Sequence, residues 1–355
     1  MTSAILREDF LRLAKSSANF ANLDGKSIYI TGATGQIGWY LVRYLCYLIN
    51  HGYLNCDLNA HVRTNNRLIQ KFPEHTELPC AFYVSDTPSE PLCIKHYDLV
   101  IHCASLASPK HFSDTPVDVM IPNGIMTNNL LDALHQSNPN GQFVYLSTTG
   151  VTGHIPDHLR PSTEQDFGPL SSIDLTNCYL ESKRFGEMLT LAYAKQYGLR
   201  TLIIRPSITY GPGFELDDGR SYADFIKFLL QKQPIKLSSD GSAIRNFLYI
   251  SDFVRGLLLA IEHAPANSVL NIASPYPISI LDLATLLNSE TYAQTLGPVE
   301  HQPAQKMMGR VEFRSTDASV QQLKALGWEQ LVLPLDGFRR TLQHYQEHAQ
   351  CALPT

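Results

Sequence analysis

The chain has 355 residues, 44% of them hydrophobic, with seven cysteines and a formal net charge of −5. That length and apolar content allow a large core shared between two domains or lobes. The mild acidity argues against a surface for nucleic acid or an anionic membrane, so any ligand charge must be met locally.

The cysteines (46, 56, 80, 93, 103, 178 and 351) are scattered and never spaced as C-x-x-C. They support neither a disulfide framework nor a metal site and fit a reducing cytoplasm. The most apolar helical run, Trp39 to Ile49, is too short to cross a bilayer and carries Arg43, so no membrane span is expected. Residues 1–23, with Phe10, Leu13 and Phe20, read as an amphipathic helix and linker ahead of the main fold, a packing arm or dimer contact.

Residues 27–31 then read as a buried strand, Gly32-Ala-Thr-Gly35-Gln36-Ile37-Gly38 as a glycine loop, and 39–50 as a helix. Glycines in that position permit a tight turn and bring backbone N–H groups and a helix N-terminus up to a pyrophosphate. The next strand, 58–62, ends in Arg63. An NAD enzyme usually carries an acidic residue there for the ribose 2′-hydroxyl, whereas an arginine suits a 2′-phosphate. Asp86 follows the strand 82–84 and is placed to contact the adenine edge. Another buried strand, 98–105, leads into small residues that leave room for a cofactor, with His102 and Cys103 read as core. A helical segment spans about 116–136, and the strand 142–146 ends in Ser147-Thr148-Thr149-Gly150.

Tyr179 and Lys183 stand four residues apart in a helical run from 178 to about 195, so they share a helix face. An ammonium beside a phenol lowers a pKa that starts near ~10, which predicts a base working near neutral pH. Thr148, at the preceding strand end, is the candidate to hydrogen-bond a substrate oxygen while Tyr179 takes its proton. A further strand at 200–205 and the breakers Pro206 to Gly213 complete an alternating order that predicts an α/β fold: a doubly wound parallel (Rossmann) sheet with a smaller C-terminal substrate-binding lobe. The sheet domain is expected over 24–205 and 240–275, and the lobe over 206–239 and 276–355. Arg220 in the lobe and Arg245 are candidate diphosphate clamps, with salt bridging to Asp217 or Asp218 as the alternative.

Taken together, the glycine loop, Thr148, the Tyr179/Lys183 pair, Tyr210-Gly-Pro and the Arg245 segment resemble the extended short-chain dehydrogenase/reductases, in particular the NAD-dependent epimerase/dehydratase family, over about residues 25–345. Within it, the segment 178–184 with Asp218-Gly-Arg220 is most similar to the UDP-glucuronate decarboxylase branch. The resemblance implies that Gly32, Gly35, Gln36, Ile37, Gly38, Arg63, Asp86 and Ala104 hold NAD or NADP together with Tyr179 and Lys183. It further implies that Thr148, Tyr179 and Lys183 are catalytic, and that Ser108, Thr149, Arg220 and Arg245 meet a nucleoside-diphosphate sugar in a homodimer.

The implied chemistry begins with hydride and proton transfer at sugar C4. Relatives that dehydrate or decarboxylate have carboxylates at the positions of Thr149 and Gly150, and this chain has none. Ile208, Met126 and Thr152 also depart from the family pattern. The expected activity is therefore a 4-epimerase or 4-keto-sugar reductase, with Arg63 tilting the cofactor toward NADP. The alternatives are decarboxylase-like or 4,6-dehydratase-like action on a nucleotide sugar, an NADPH-dependent small-molecule ketone reductase, and a non-catalytic dinucleotide-binding regulator.

Overall fold

The computed structural model describes residues 3–16, 20–291, 296–301 and 315–351. Helix α1 (Ala4–Ser16) precedes strand β1 (Ser27–Thr31), helix α2 (Gln36–Asn50), β2 (Asp57–Val62), α3 (Asn65–Lys71), β3 (Ala81–Val84), α4 (Glu90–Ile94) and β4 (Leu99–His102). There follow α5 (Pro109–Asp114), α6 (Pro116–Ile121), α7 (Thr127–Ser137), β5 (Gln142–Leu146), α8 (Cys178–Tyr197), β6 (Arg200–Pro206) and β7 (Ile208–Tyr210). Beyond them lie α9 (Ser221–Leu230), β8 (Lys236–Leu237), β9 (Ile244–Arg245), β10 (Phe247–Tyr249), α10 (Ile250–His263) and β11 (Ser268–Ile272). The described chain closes with β12 (Ile278–Ser279), α11 (Ile280–Glu290), β13 (Glu300–His301), α12 (Gln321–Ala325) and α13 (Pro334–Cys351).

Seven parallel strands form the central sheet in the order β11-β6-β5-β4-β1-β2-β3. Most of these strands are largely apolar, as helices covering both faces require, although β2 carries Asn59 and His61; β4 and most of β1, β2 and β5 are buried. The winding reverses between β1 and β4, so the connections after these two strands leave in opposite directions and open a crevice beyond their carboxyl ends. Short two-stranded pairings (β7 with β10, β9 with β12, β8 with β13) form the rest.

One element differs from its sequence pattern. The helical segment expected over about 116–136 is split into α6 and α7 by a π-turn at Pro122–Met126. Proline has no N–H to continue the ladder; the Pro122 carbonyl accepts from Thr127 Oγ1 at 3.1 Å and meets His102 Nε2 at 3.0 Å. Burial holds the His102 imidazole far below its usual pKa, at about 3, so the ring is neutral and serves the core, as its sequence context suggests.

The N-terminal helix is a packing arm. Leu6, Phe10 and Leu13 enter the main core, and Asp9, fully buried, accepts from Tyr249 Oη at 2.7 Å and Arg340 Nε at 2.9 Å. This ties α1 to α13 and to the end of β10. Removing one partner of a buried pair strands the other charge. Arg340→Ala is therefore expected to lower unfolding free energy by about 3 kcal/mol, measured by urea denaturation; a change within experimental error would show that α1 docks by apolar contacts alone.

Candidate functional site

The crevice begins with a glycine constraint. Gly32 has φ +68°, and a Cβ there would lie 2.6 Å from the Ala104 backbone. A Cβ at Gly38 would collide with the Gly32 carbonyl. Only glycines let β1, the loop and α2 approach β4 this closely, and the result is a helix N-terminus starting at Gln36 and open to the cavity, where the first-turn N–H groups and the helix dipole favour an anion. Thr31 Oγ1 supports the arrangement from behind through Ala104 N at 3.4 Å and His102 Nδ1 at 2.7 Å.

The cavity, about 620 Å³, is lined at one end by Thr34 to Gly38 and further in by Thr148, Tyr179 and Lys183, a size usual for a small-molecule site. The buried hydroxyls of Ser105, Ser147 and Ser207 also line it and have no partner among the described residues. Together with the glycine cradle, these orphaned donors fit a large polar ligand such as a dinucleotide. Among the described residues, no group of His, Cys, Asp or Glu could hold a metal ion, and no helix is long and apolar enough to cross a membrane.

Helix α8 brings Tyr179 and Lys183 to this cavity because Gly186, one turn on, lets it press onto β5; a Cβ there would collide with Tyr145 Oη. Lys183 is 3% exposed, donates to the Leu146 carbonyl at 2.5 Å, and lies 4.9 Å from the Tyr145 ring centroid and 5.9 Å from that of Tyr179. Burial pulls its pKa down to about 7 against the opposing effects of Cys103 and Glu187.

Tyr179 stacks on Phe112, with centroids 5.1 Å apart. Burial pushes the phenol up to about 12, with Arg220 and then a hydrogen bond with Thr148 pulling it back. The expectation that Lys183 would lower this phenol toward neutrality is not met in the ligand-free protein. The ammonium is directed at a carbonyl and itself loses charge near neutral pH, and the desolvated phenol resists ionisation.

On the substrate side, Ser108 and Thr149 line the cavity. Ser108 Oγ donates a short hydrogen bond to the Asp218 carbonyl. Arg220 lines the cavity too, but its fork is engaged with Asp218 through two 2.5 Å contacts, the alternative weighed from sequence. Arg245, on β9, donates to the Ile244 carbonyl at 2.8 Å and also faces the cavity. Arg63 and Asp86 are exposed at the ends of β2 and β3, outside the cavity lining.

Arg67, Lys71, His111 and the three orphaned serines line the cavity without having been singled out from sequence. The i, i+4 spacing of Arg67 and Lys71 after β2 was the available signal.

This sheet, glycine loop and Tyr–Lys helix define a dinucleotide-binding enzyme of the short-chain dehydrogenase/reductase type. The chain belongs to the NAD dependent epimerase/dehydratase family, whose family model matches residues 28–273. UDP-glucuronic acid decarboxylase 1 of Danio rerio is 28% identical over 331 residues, 92% of this chain and 74% of that protein. UDP-glucuronic acid decarboxylase 6 of Arabidopsis thaliana is 30% identical over 311 residues, 87% and 86%.

Among solved structures, the UDP-glucose 4-epimerase of Thermotoga maritima with UDP-glucose superposes with a TM-score of 0.76 at 23% identity, covering 91% of this chain and 99% of that one. The dTDP-glucose 4,6-dehydratase of Bacillus anthracis in complex with NAD gives 0.73 at 19% identity, covering 92% and 98%. At these identities the structural likeness is one of fold.

The depressed Lys183 pKa has a consequence for stability. Between about 7 and the ordinary lysine value near ~10, the unfolded chain binds a proton that the folded chain has released, so stability rises with pH across that window and is lost as pH falls toward 7. The ligand-free wild type is expected to gain stability over this range relative to Lys183→Met, read as the difference between their pH-resolved denaturation curves. Parallel curves would place the Lys183 pKa at its ordinary value.

Proposed function

We propose that the protein is an NAD(P)-dependent nucleotide-sugar 4-epimerase or 4-keto-sugar reductase. The observation that carries this reading is the meeting of Thr148, Tyr179 and Lys183 in one cavity with the α2 N-terminus and its glycine cradle. A bound nicotinamide dinucleotide would accept or give a hydride at sugar C4. Tyr179 exchanges the proton of the C4 oxygen, Thr148 hydrogen-bonds that oxygen, and Lys183 orients the ligand and contributes positive charge when protonated. A phenol that stays protonated at neutral pH suits donation to a 4-keto oxygen. Arg220, already pulling the phenol down, aids the reverse direction. Arg245 supplies positive charge for a diphosphate, while the Arg220 fork is held by Asp218.

The absence of a carboxylate at Thr149 and Gly150 favours epimerisation or reduction over elimination. A Cβ at Gly150 would lie 2.8 Å from Leu180 Cδ2, so an acidic side chain there would require Leu180 to shift. Glu215 and Asp218, which line the same cavity, are held in ion pairs. A second reading, decarboxylation of UDP-glucuronate, is favoured by the identity of the curated relatives, and a β-keto acid loses CO₂ with little help.

Tyr179→Phe is expected to bind dinucleotide normally and to lose at least ~10²-fold in kcat; retention of more than about a tenth of the wild-type value would remove Tyr179 from proton transfer. Incubated with UDP-glucuronate, the purified enzyme is expected to release little UDP-xylose while converting an NDP-hexose or NDP-4-keto-hexose, followed by chromatography and mass. Loss of 44 mass units from UDP-glucuronate at about 1 s⁻¹ or faster would establish the decarboxylase instead.

The enzyme works as a homodimer through α6, the π-turn after it and α8. Val117, Met120, Ile125, Phe185 and Met188 are 45–65% exposed on neighbouring helices of this face, an apolar area that a second copy would bury. Met188→Glu is expected to give monomers by light scattering, and an unchanged dimer mass would move the interface elsewhere. The described cysteines are free thiols, which suits a cytoplasmic setting.

A further inference from the structure

Segment 211–220 crosses the cavity as a strap. Gln36 Nε2 donates to the Gly211 carbonyl at 3.1 Å, Lys71 Nζ to the Gly213 carbonyl at 3.1 Å, and Ser108 Oγ to the Asp218 carbonyl. Left-handed φ values at Gly211, Gly213 and Gly219 let it turn. Its Glu215 carboxylate reaches the sheet domain, with Oε1 2.6 Å from Lys71 Nζ and 3.4 Å from Arg67 Nη1. Both cations lie on α3 and line the cavity.

Helix α3 begins three residues after β2 ends, and in a doubly wound sheet the ribose 2′ position of a dinucleotide is read just past the second strand. Arg67 and Lys71 are therefore the cavity-lining cations placed to meet a 2′-phosphate, whereas Arg63 is exposed outside the lining. Glu215 already occupies them. A phosphate monoester bringing close to two negative charges must displace that carboxylate or be repelled by it; a 2′-hydroxyl meets neither penalty.

We propose that Glu215 sets the cofactor selectivity of this chain, holding Arg67 and Lys71 in ion pairs and so favouring the dinucleotide that lacks a 2′-phosphate. The proposal rests on the dinucleotide reading of the cavity and opposes the NADP preference suggested by Arg63 alone.

The test is equilibrium binding of NAD⁺ and NADP⁺ to the full chain, without sugar, for wild type, Glu215→Gln and Glu215→Asp, with each variant's melting temperature recorded. Glu215→Gln is expected to raise NADP⁺ affinity relative to NAD⁺ by about tenfold or more, one decade being what a change of about 1.4 kcal/mol in charge interaction produces, while Glu215→Asp keeps the wild-type ratio. Adding Arg67→Ala to Glu215→Gln should return the ratio toward wild type. An unchanged ratio, or equal weakening of both cofactors, would overturn the proposal and leave Glu215 as a structural brace. A wild type that binds neither dinucleotide would instead overturn the reading of the cavity, and this proposal with it.

Discussion

A lysine ammonium buried at the carboxyl edge of the sheet constrains much of what surrounds it. Taking Lys183 out of water is costly, and the fold offsets the cost with the Leu146 carbonyl, the face of Tyr145 and the nearby Glu187. Glu187 is itself buried and held by a bidentate pair to Arg205 at 2.8 and 2.7 Å, so α8, β5 and β6 are locked together by charges that cannot be left unpaired. Gly186 is what allows the helix to come close enough for this. Burial nonetheless holds the lysine pKa down, at about 7.

The same logic extends to the roof of the site. The strap over the cavity is held by polar contacts to Gln36, Lys71 and Ser108. Tyr345 of α13 donates to the Phe214 carbonyl within that strap at 2.5 Å. Because α13 is also gripped by α1 through Asp9 and Arg340, the N-terminal arm is linked mechanically to the cavity wall, although none of its described residues lines the cavity.

What was legible in the sequence was local. The glycine loop, the strands with their apolar runs and the Tyr179/Lys183 spacing are each fixed by a few neighbouring residues, and all three stand in the structure as the pattern requires. Other features depend on partners distant in sequence. That Arg63 leaves the cavity while Arg67 and Lys71 line it depends on the direction in which α3 departs from β2 and on Glu215, 148 residues after Arg67. The phenol pKa follows from burial by the whole cavity rather than from the lysine four residues away. Pro122 was visible as a residue, but its π-turn becomes intelligible only with His102 and Thr127 in place to meet its carbonyl.

Hydride transfer at C4 of a nucleoside-diphosphate sugar is the step on which the proposed function rests. Purified enzyme incubated with NDP-hexose deuterated at C4, then denatured and analysed by mass, measures that step directly. Deuterium carried as hydride to the nicotinamide ring or back to C4 of the inverted sugar, without loss to solvent and not seen with Tyr179→Phe, is the predicted result; deuterium washed out of C4 into solvent as product forms would contradict it.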